Sequence, residues 1–381
     1  MSAADYGNNR VLLFAPPFSL NDPSAYLVLG QPNFTSGLVN NGGAAVGMNG
    51  PFSTCLDGTH FVVADSGNNR VLIWNSIPTL NQQPPNLVLG QPDFNTTTAN
   101  TGGISAQSLS NPQGVYCGGG RLVVSDRSNS RVLIWNSFPT TSQQPANLVL
   151  GAANMSAAGS AVSTNTSTPN PGDIGVANGR IFIADYTNNR VEVWNNWPSV
   201  NGQTIDMVLG QPSFTTSTAN NTPGAPGTPS AYGFISQLNL CTNGTQLVVG
   251  DNNNARVLIW NSLPTVMQQP ADLVLGQPNF ASNTINNTPG APGTASAQSL
   301  GGGGTIGVTC DRFSLMVSDR SDERVLVWNN FPTYNQQPAD LVIGQPNMSS
   351  IAPGTTATSF NTVLTLGGNF LVPGVYRRDG Y

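Results

Sequence analysis

The stretch Asp65–Phe94, DSGNNRVLIWNSIPTLNQQPPNLVLGQPDF, recurs with variations six times along the 381-residue chain. Each copy keeps an Asp, an Arg five residues later, an apolar run, a Pro-containing turn and a second apolar run that ends in Gly. A fixed period of this length indicates a repeat architecture whose units share one core. The other copies begin about 60 to 68 residues apart, at Asp5, Asp126, Asp185, Asp251 and Asp319.

The local pattern within each copy is that of β-strands. RVLIW (70–74) and NLVLG (86–90) are short apolar runs bounded by Asn, Pro and Gly. Another apolar run, such as 60–65, ends at the Asp, and a Gly-rich or Asn-Gly hairpin precedes it. A further strand, such as 114–117, lies before the hairpin. One period therefore predicts four antiparallel strands, which we label a to d in chain order.

Four short strands repeated six times predict an all-β fold, a six-bladed β-propeller formed by residues 1–381 as a single domain. A linear solenoid is the alternative, although its units are usually shorter. The first copy lacks strand a and has only Met1–Ala4 where strand b belongs. The C-terminal segments Thr362–Leu366 and Phe370–Val372 are predicted to complete that N-terminal blade as strands a and b, which would close the ring and hide its open edges.

The repeated Asp-x-x-Asn-x-Arg-Val motif resembles the NHL repeat, because a Pro-x-Gly-Val segment (Pro112, Gly114 and Val115 in one copy) precedes it. The resemblance covers nearly the whole chain, and the longer wording of the repeat is similar to that of bacterial secreted or surface proteins with NHL repeats. It implies a β-propeller, often of six blades. The metal-dependent lyases and lactonases among six-bladed proteins carry several His residues or carboxylates in the channel, whereas this chain has one His and two Glu.

The composition bounds the classes of partner. Only 8% of the residues are charged, the formal net charge is −5, and all 13 basic residues are Arg. This balance disfavours a nucleic-acid partner, which needs clustered positive charge. No apolar run is long enough to insert into a membrane, and the first residues do not read as a signal peptide. The polar surface must consist mainly of Asn, Gln, Ser and Thr.

The Asp and Arg that open every copy are candidates for an ion pair that fixes the loop between strands b and c. A ring of charged ligand-binding groups is the alternative. A position filled in every blade favours a structural role, since a binding site needs asymmetry. The structural pairs are Asp5/Arg10, Asp65/Arg70, Asp126/Arg131, Asp185/Arg190, Asp251/Arg256 and Asp319/Arg324.

The long, variable connections point to one face of the propeller. In a four-stranded blade the b–c loops and the d–a connections emerge on the same side, and here that side carries all the long Asn-, Thr- and Gly-rich segments. The two longest connections share the sequence NNTPGAPGT, at 220–228 and 286–294. We expect a partner to contact this face through Asn8, Asn68, Asn129, Asn188, Asn253, Asp322, Asn220 and Asn286.

The recurring aromatic and sulfur-containing residues favour structural roles. Trp74 and its counterparts in strand c fit a packing position between blades better than a stripe that binds sugars. All four Cys residues fall in strand a, nine or ten residues before the Asp of their copy. If these positions are equivalent in the blades, buried free thiols are favoured over disulfides, because neighbouring innermost strands leave little room for a disulfide. The Cys residues are Cys55, Cys117, Cys241 and Cys310.

The leading functional hypothesis is a non-enzymatic binding or scaffold module that presents a polar face to a protein or a glycan. It requires no cofactor, metal or catalytic residue, and it predicts a monomer at the cell surface or outside the cell. Two alternatives remain: a channel-centred metal-dependent lyase or hydrolase, and a surface structural protein that associates with itself. A bound metal would distinguish the first alternative, and assembly that depends on concentration would distinguish the second.

Overall fold

The computed structural model describes residues 1–15, 18–160, 162–236, 238–304, 306–361 and 363–367. Six antiparallel sheets of four strands each form a ring, as the sequence predicted. The described part of the chain contains no α-helix. The sequence spacing explains this outcome, because short β-branched runs interrupted by Asn, Gly and Pro favour strands and tight turns over helices.

Each blade has strand a innermost and strand d outermost. Strand d is only three residues long in every blade, whereas strands a to c contain four to seven residues. A two-stranded hairpin, Asn287–Thr288 with Ala291–Pro292, lies in the connection between blades 5 and 6. The strands, in the order a, b, c, d, are Val363–Gly367, Ser2–Asp5, Arg10–Leu13 and Leu27–Leu29 (blade 1); Pro51–Leu56, Phe61–Asp65, Arg70–Trp74 and Leu87–Leu89 (blade 2); Pro112–Gly118, Arg121–Asp126, Arg131–Trp135 and Leu148–Leu150 (blade 3); Pro171–Ala177, Arg180–Asp185, Arg190–Trp194 and Met207–Leu209 (blade 4); Leu238–Thr242, Leu247–Asp251, Arg256–Trp260 and Leu273–Leu275 (blade 5); and Ile306–Cys310, Leu315–Asp319, Arg324–Trp328 and Leu341–Ile343 (blade 6).

The ring is closed by the C-terminal strand of blade 1. Val363–Gly367 pairs antiparallel with Ser2–Asp5 and contacts the innermost strands of blades 2 and 6. Closure from the C-terminus is therefore confirmed. The expectation that Phe370–Val372 supplies strand b is corrected, because Ser2–Asp5 already lies between strands a and c of this blade. Phe370–Val372 lies outside the described residues.

The core lies between the blades. The apolar side chains of strands b and c pack against those of the next blade in a series of clusters around the ring. The five strand-c Trp residues are buried, and each indole N–H donates to a carbonyl nine residues later, as Trp74 does to Gln83 at 3.0 Å. This partner satisfies the polar atom of a large buried ring. Phe14 takes the same position in blade 1, and the others are Trp135, Trp194, Trp260 and Trp328.

The connection between strands c and d covers the outer edge of the preceding blade. In blade 2, Asn81 Oδ1 accepts a hydrogen bond from Val28 N at 3.0 Å, and Gln82 N donates to Val28 O at 2.8 Å. Val28 is the central residue of strand d in blade 1. The same arrangement occurs at every outer strand, with central residues Val88, Val149, Val208, Val274 and Val342.

Two disulfides link the innermost strands, Cys55–Cys117 between blades 2 and 3 and Cys241–Cys310 between blades 5 and 6. The preference for free thiols was therefore wrong. Cys55 pairs across the sheet with the residue three before its Asp, whereas Cys117 pairs with the residue four before its own. Successive positions of a strand point to opposite faces, so the two thiols face each other across the blade interface with Cα atoms 5.9 Å apart.

Candidate functional site

The b–c turns and the d–a connections lie at one end of the ring, and we call this end the loop face. The a–b hairpins and the starts of the c–d connections lie at the other end, the hairpin face. In five blades the b–c turn is one turn of 3₁₀-helix, for example Ser66–Asn68 in blade 2. The residue that follows this turn has a left-handed backbone, as at Asn69 with φ of 55°.

The Asp and Arg of each repeat form a fully buried ion pair beneath the loop face in all six blades. In blade 3, Arg131 Nε donates to Asp126 Oδ2 at 2.7 Å. Its Nη1 donates to the carbonyl of Met155, which follows strand d, and its Nη2 donates to the carbonyls of Ser105 and Ser108 in the preceding connection. One guanidinium, with its fixed fork of donors, thus holds together two connections and a turn.

The turn residues expected to contact a partner are buried instead. The amide of Asn68 donates to Asp65 Oδ2 at 2.8 Å, and Asn8, Asn129 and Asn188 make the corresponding bond in their blades. The geometry of the turn explains this, because residues three apart lie above one another in a 3₁₀-helix. The position three after the Asp therefore folds back onto the carboxylate and is unavailable at the surface.

Blade 5 has the same register as the other blades, and the predicted contact residue Asn253 lies one position before the equivalent of Asn68. The turn reads DNNNAR, and Asn254, not Asn253, donates to Asp251 Oδ2 at 2.8 Å. The side chain of Asn253 is exposed and donates to Ser236 Oγ at 2.7 Å. Asn253 is the only one of the eight predicted contact residues that the structure leaves exposed. In blade 6, Asp322 is the equivalent of Asn254 and is buried.

The predicted contact residues in the connections are also buried. Asn220 and Asn254 exchange amide hydrogen bonds of 3.3 and 2.7 Å, and Asn286 donates to Asp322 at 3.2 Å. Asn40 with Asn68 and Asn100 with Asn129 form the same reciprocal pair. These amides join each connection to the following blade.

The exposed part of the loop face consists of the tips of the connections. The segments 220–228 and 286–294 adopt the same conformation: Thr222 and Thr288 each donate through Oγ1 to the carbonyl six residues later, at 2.6 and 2.5 Å. Gly224 and Gly290 both have φ of 77°, as the second central residue of a type II turn requires. Two equivalent Pro-Gly turns therefore project from neighbouring blades as ordered, uncharged surfaces.

A ring of side chains that the sequence analysis missed follows the repeated Asp residues at the start of each b–c turn. In blades 3 and 4, Arg127 and Tyr186 lie together, with the guanidinium carbon 5.2 Å from the ring centroid. In blade 5, Asn252 Oδ1 accepts a hydrogen bond from Ile306 N of the next innermost strand at 2.8 Å. The sequence does not single out this position, because its residue type differs from copy to copy. The ring comprises Tyr6, Ser66, Arg127, Tyr186, Asn252 and Arg320.

One carboxyl group lies in the innermost strand of blade 4. Asp173 sits where the pairing register shifts between Pro171 and Ile174. Burial raises the pKa of Asp173 to about 7, against the opposing effect of the backbone N–H groups of Ile174 and Leu240. No cation in the described part of the chain forms an ion pair with it. A carboxyl with such a pKa is half protonated near neutral pH.

The single histidine lies on the hairpin face, away from these residues. His60 Nδ1 is 2.8 Å from Asp57 Oδ2, and its ring stacks on Phe138 of the next blade with centroids 3.9 Å apart. Among the described residues, no three His, Cys, Asp or Glu side chains are grouped so that they could hold a metal ion. No helix in the described ranges has the length and apolar character needed to cross a bilayer.

The comparisons with known proteins find only distant structural similarities. No family model matches the chain, and no curated protein matches it. The WD40 β-propeller domain of Doa1 is 9% identical with a TM-score of 0.43, and the alignment covers 91% of this chain and 79% of that domain. The designed protein Ika8 is 11% identical with a TM-score of 0.40 over 80% of this chain and 64% of its own, less than two thirds.

A catalytically inactive virginiamycin B lyase from Staphylococcus aureus, solved with quinupristin, is also similar. It is 10% identical with a TM-score of 0.37, over 78% of this chain and 72% of the lyase. Likenesses this distant carry no argument about function. The assignment of six blades rests on the strand pairing of this chain itself.

Proposed function

We propose that the protein is a non-enzymatic binding module of the NHL-repeat type, which presents its loop face to a glycan or protein partner. The observation that carries the proposal is the contrast within this face. The backbones of the connections are held by buried Arg and Asn side chains, while the exposed tips at 222–228 and 288–294 consist of Thr, Pro, Gly and Ala. A pre-ordered surface loses little entropy when it binds.

The partner is expected to be recognised through neutral groups. The twin turns at 222–227 and 288–293 contain no charged residue, so binding there should change little when salt is raised. Hydroxyl and amide groups beside apolar Pro and Ala side chains suit a glycan or an uncharged protein surface. We also propose an extracellular or cell-surface location, which two disulfides support because such bonds persist in oxidising compartments.

The test is a binding screen with a face-specific control. Labelled protein is applied to a glycan array and to immobilised candidate proteins, beside a variant in which 222–227 and 288–293 are replaced by Gly-Ser linkers. A second variant, with Leu80 and Val266 changed to Ser, alters exposed residues of the c–d connections. We expect the first variant to lose the signal and the second to retain it.

A partner that binds the linker variant as tightly as the unmodified protein would contradict the placement on the loop face. Sedimentation at several protein concentrations tests the proposed monomer. Assembly that grows with concentration and disappears in the linker variant would instead favour a self-associating surface protein.

A further inference from the structure

Two of the six buried ion pairs contain an additional carboxyl group. Blade 6 has Asp322 three residues after its Asp, where the five other blades have Asn. Blade 4 has Glu192 in strand c, where the other blades have Leu. Each of these two clusters therefore combines two carboxyl groups with one Arg, and both added side chains are buried. The equivalents of Glu192 are Leu12, Leu72, Leu133, Leu258 and Leu326.

In blade 6 the second carboxyl replaces a hydrogen-bond donor. The amide of Asn254 donates to Asp251 Oδ2 in blade 5, but an ionised carboxylate at the same place has no proton to donate. Arg324 Nη2 lies 3.1 Å from Asp319 Oδ2 and also 3.1 Å from Asp322 Oδ2. Asp322 Oδ2 accepts no hydrogen bond from it. Two buried carboxyl groups therefore face one guanidinium, without the amide donor that the other blades have at this position.

In blade 4 the second carboxyl compensates for a missing backbone donor. In blades 2, 3 and 5, the residue sixteen before the Asp donates its N–H to that carboxylate, as Ser110 does to Asp126. The corresponding residue in blade 4 is Pro169, which has no N–H. Glu192 Oε1 accepts a 2.7 Å hydrogen bond from Arg190 Nη2, while Arg190 Nε donates to Asp185 Oδ2 at 2.9 Å, so both carboxyl groups face one guanidinium. The Oε2 of Glu192 finds no donor among the described residues.

The surroundings of both clusters are neutral where other elements pack against them. The neutral groups around Asp319 and Asp322 are the amide of Asn286, the N–H of Gly301 and the carbonyl of Ser299, which accepts a hydrogen bond from Arg324. Two charged residues of the same turn, Arg320 and Glu323, flank the cluster.

Around Asp185 and Glu192 the partners are the amide of Asn188, the hydroxyl of Ser163 and the carbonyls of Thr164, Ser167 and Phe214, which accept from Arg190. Tyr186, with Arg127 against its ring, follows in the turn. One Arg thus balances only one of the two carboxylates in each cluster.

We propose that each cluster holds one proton shared between its two carboxyl groups, and that loss of these protons as the pH rises loosens the connections that enter blades 4 and 6. The proton comes from solvent water and forms an O–H···O bond within the pair. When it leaves, two buried carboxylates repel each other beside one Arg. This property is independent of which partner the loop face binds.

The direction of the pH dependence follows from linkage. Burial raises the pKa of Asp319 from 3.8 to about 7, opposed by Arg324 and reinforced by Asp322. Burial also raises the pKa of Glu192 well above its ordinary value, and Asp185 adds to this effect. At Asp319 the folded state therefore binds more protons than the unfolded state from about pH 4 to 7, and the shift at Glu192 has the same direction. Stability falls as pH rises through this window, and the penalty is complete above it.

The experiment compares variants that remove the extra charge but keep the shape. Asp322→Asn restores the residue of the other blades, and Glu192→Gln keeps a donor for Asp185. Melting temperatures are measured from about pH 5 to 9 at constant ionic strength. We expect each variant to melt about 4 °C above the unmodified protein at the alkaline end and to differ little at the acidic end. Hydrogen exchange in 286–304 should slow in Asp322→Asn at the same alkaline pH.

Two further variants separate proton sharing from an ordinary loss of charge. Asp340→Asn removes an exposed carboxylate at a position where Asn86 and Asn147 make the same backbone contact, so its pH profile should match the unmodified protein. Asn254→Asp should create a third pair and a steeper alkaline loss. The infrared band of protonated carboxyl groups at neutral pH should weaken in Asp322→Asn and Glu192→Gln. Parallel pH profiles in all variants, or an unchanged band, would overturn the proposal.

Discussion

At the scale of single residues, the buried Arg of each blade is the most consequential side chain of the repeat. In blade 5, Arg256 is bonded to Asp251 and to the carbonyls of Phe280, Ser230 and Gly233. Its removal would leave a buried carboxylate without its counter-ion and several carbonyls without donors. Breaking a buried pair on one side is far more destabilising than its net contribution would suggest.

We expect Arg256→Met to lower the free energy of unfolding by about 3–5 kcal/mol. Urea denaturation with the free energy extrapolated to water measures this loss. Arg312→Met is the matched control, since Arg312 is exposed on the a–b hairpin of blade 6 and should change the free energy by less than about 0.5 kcal/mol. Equal losses in the two variants would remove the structural role assigned to the ion pair.

Residue roles were predictable where the pattern fixed both chemistry and geometry. The Asp and Arg spacing predicted an ion pair at the b–c loop, because two opposite charges five residues apart flank a short turn; the structure adds that the pair is buried. The Asn three residues after the Asp was predicted to contact a partner, but it is buried against the Asp carboxylate. Its repetition along the chain indicated a structural role, as the repetition of the Asp and the Arg did. The offsets of nine and ten residues for the Cys pairs were the signal for opposite strand faces, and treating them as equivalent concealed the disulfides.

At the scale of elements, the c–d connections protect strands that are too short to protect themselves. An outer strand with unpaired N–H and C=O groups invites pairing with another chain. Each connection supplies a backbone donor and, from the preceding residue, an acceptor for the central residue of the neighbouring strand d. The acceptor is an Asn side chain in four of the connections. It is the Ser142 hydroxyl in the connection of blade 3 and the Met267 sulfur in the connection of blade 5. The sequence showed that these connections repeat. It did not show which strand edge each connection covers, because that edge belongs to another blade.

The thioether of Met267 is the weakest of the six acceptors. It lies 3.2 Å from Val208 N, and sulfur accepts hydrogen bonds poorly. We expect Met267→Asn, which restores the residue at this place in four other blades, to raise the free energy of unfolding by about 1 kcal/mol. Met267→Leu keeps the apolar contact without an acceptor and should not stabilise. If thermal denaturation ranks Leu at or above Asn, the edge bond contributes nothing here.

At the scale of the whole molecule, the period predicted the number of blades and the closing strand, because both follow from counting strands along the chain. The loop face was placed on the correct side by the same count. Which side chains it exposes could not be counted, since burial there depends on bonds between residues 28 to 36 positions apart, such as Asn40 with Asn68 and Asn286 with Asp322. The loop face therefore exposes the tips of the connections, which we propose as the contact surface for a partner, and the repeated polar residues hold those tips in place.

The closing strand offers the most direct test of the ring. Val363–Gly367 forms the innermost strand of blade 1, and its removal would expose the edge of Ser2–Asp5 and remove its contacts with the innermost strands of blades 6 and 2. We expect deletion of Thr362–Tyr381 to lower the melting temperature by roughly 10 °C or more and to increase light scattering on heating. A full-length variant with Val363–Gly367 replaced by Gly and Ser separates the strand from the residues after it, and should melt like the deletion. A full-length replacement that melts like the unmodified protein would show that blade 1 closes without this strand.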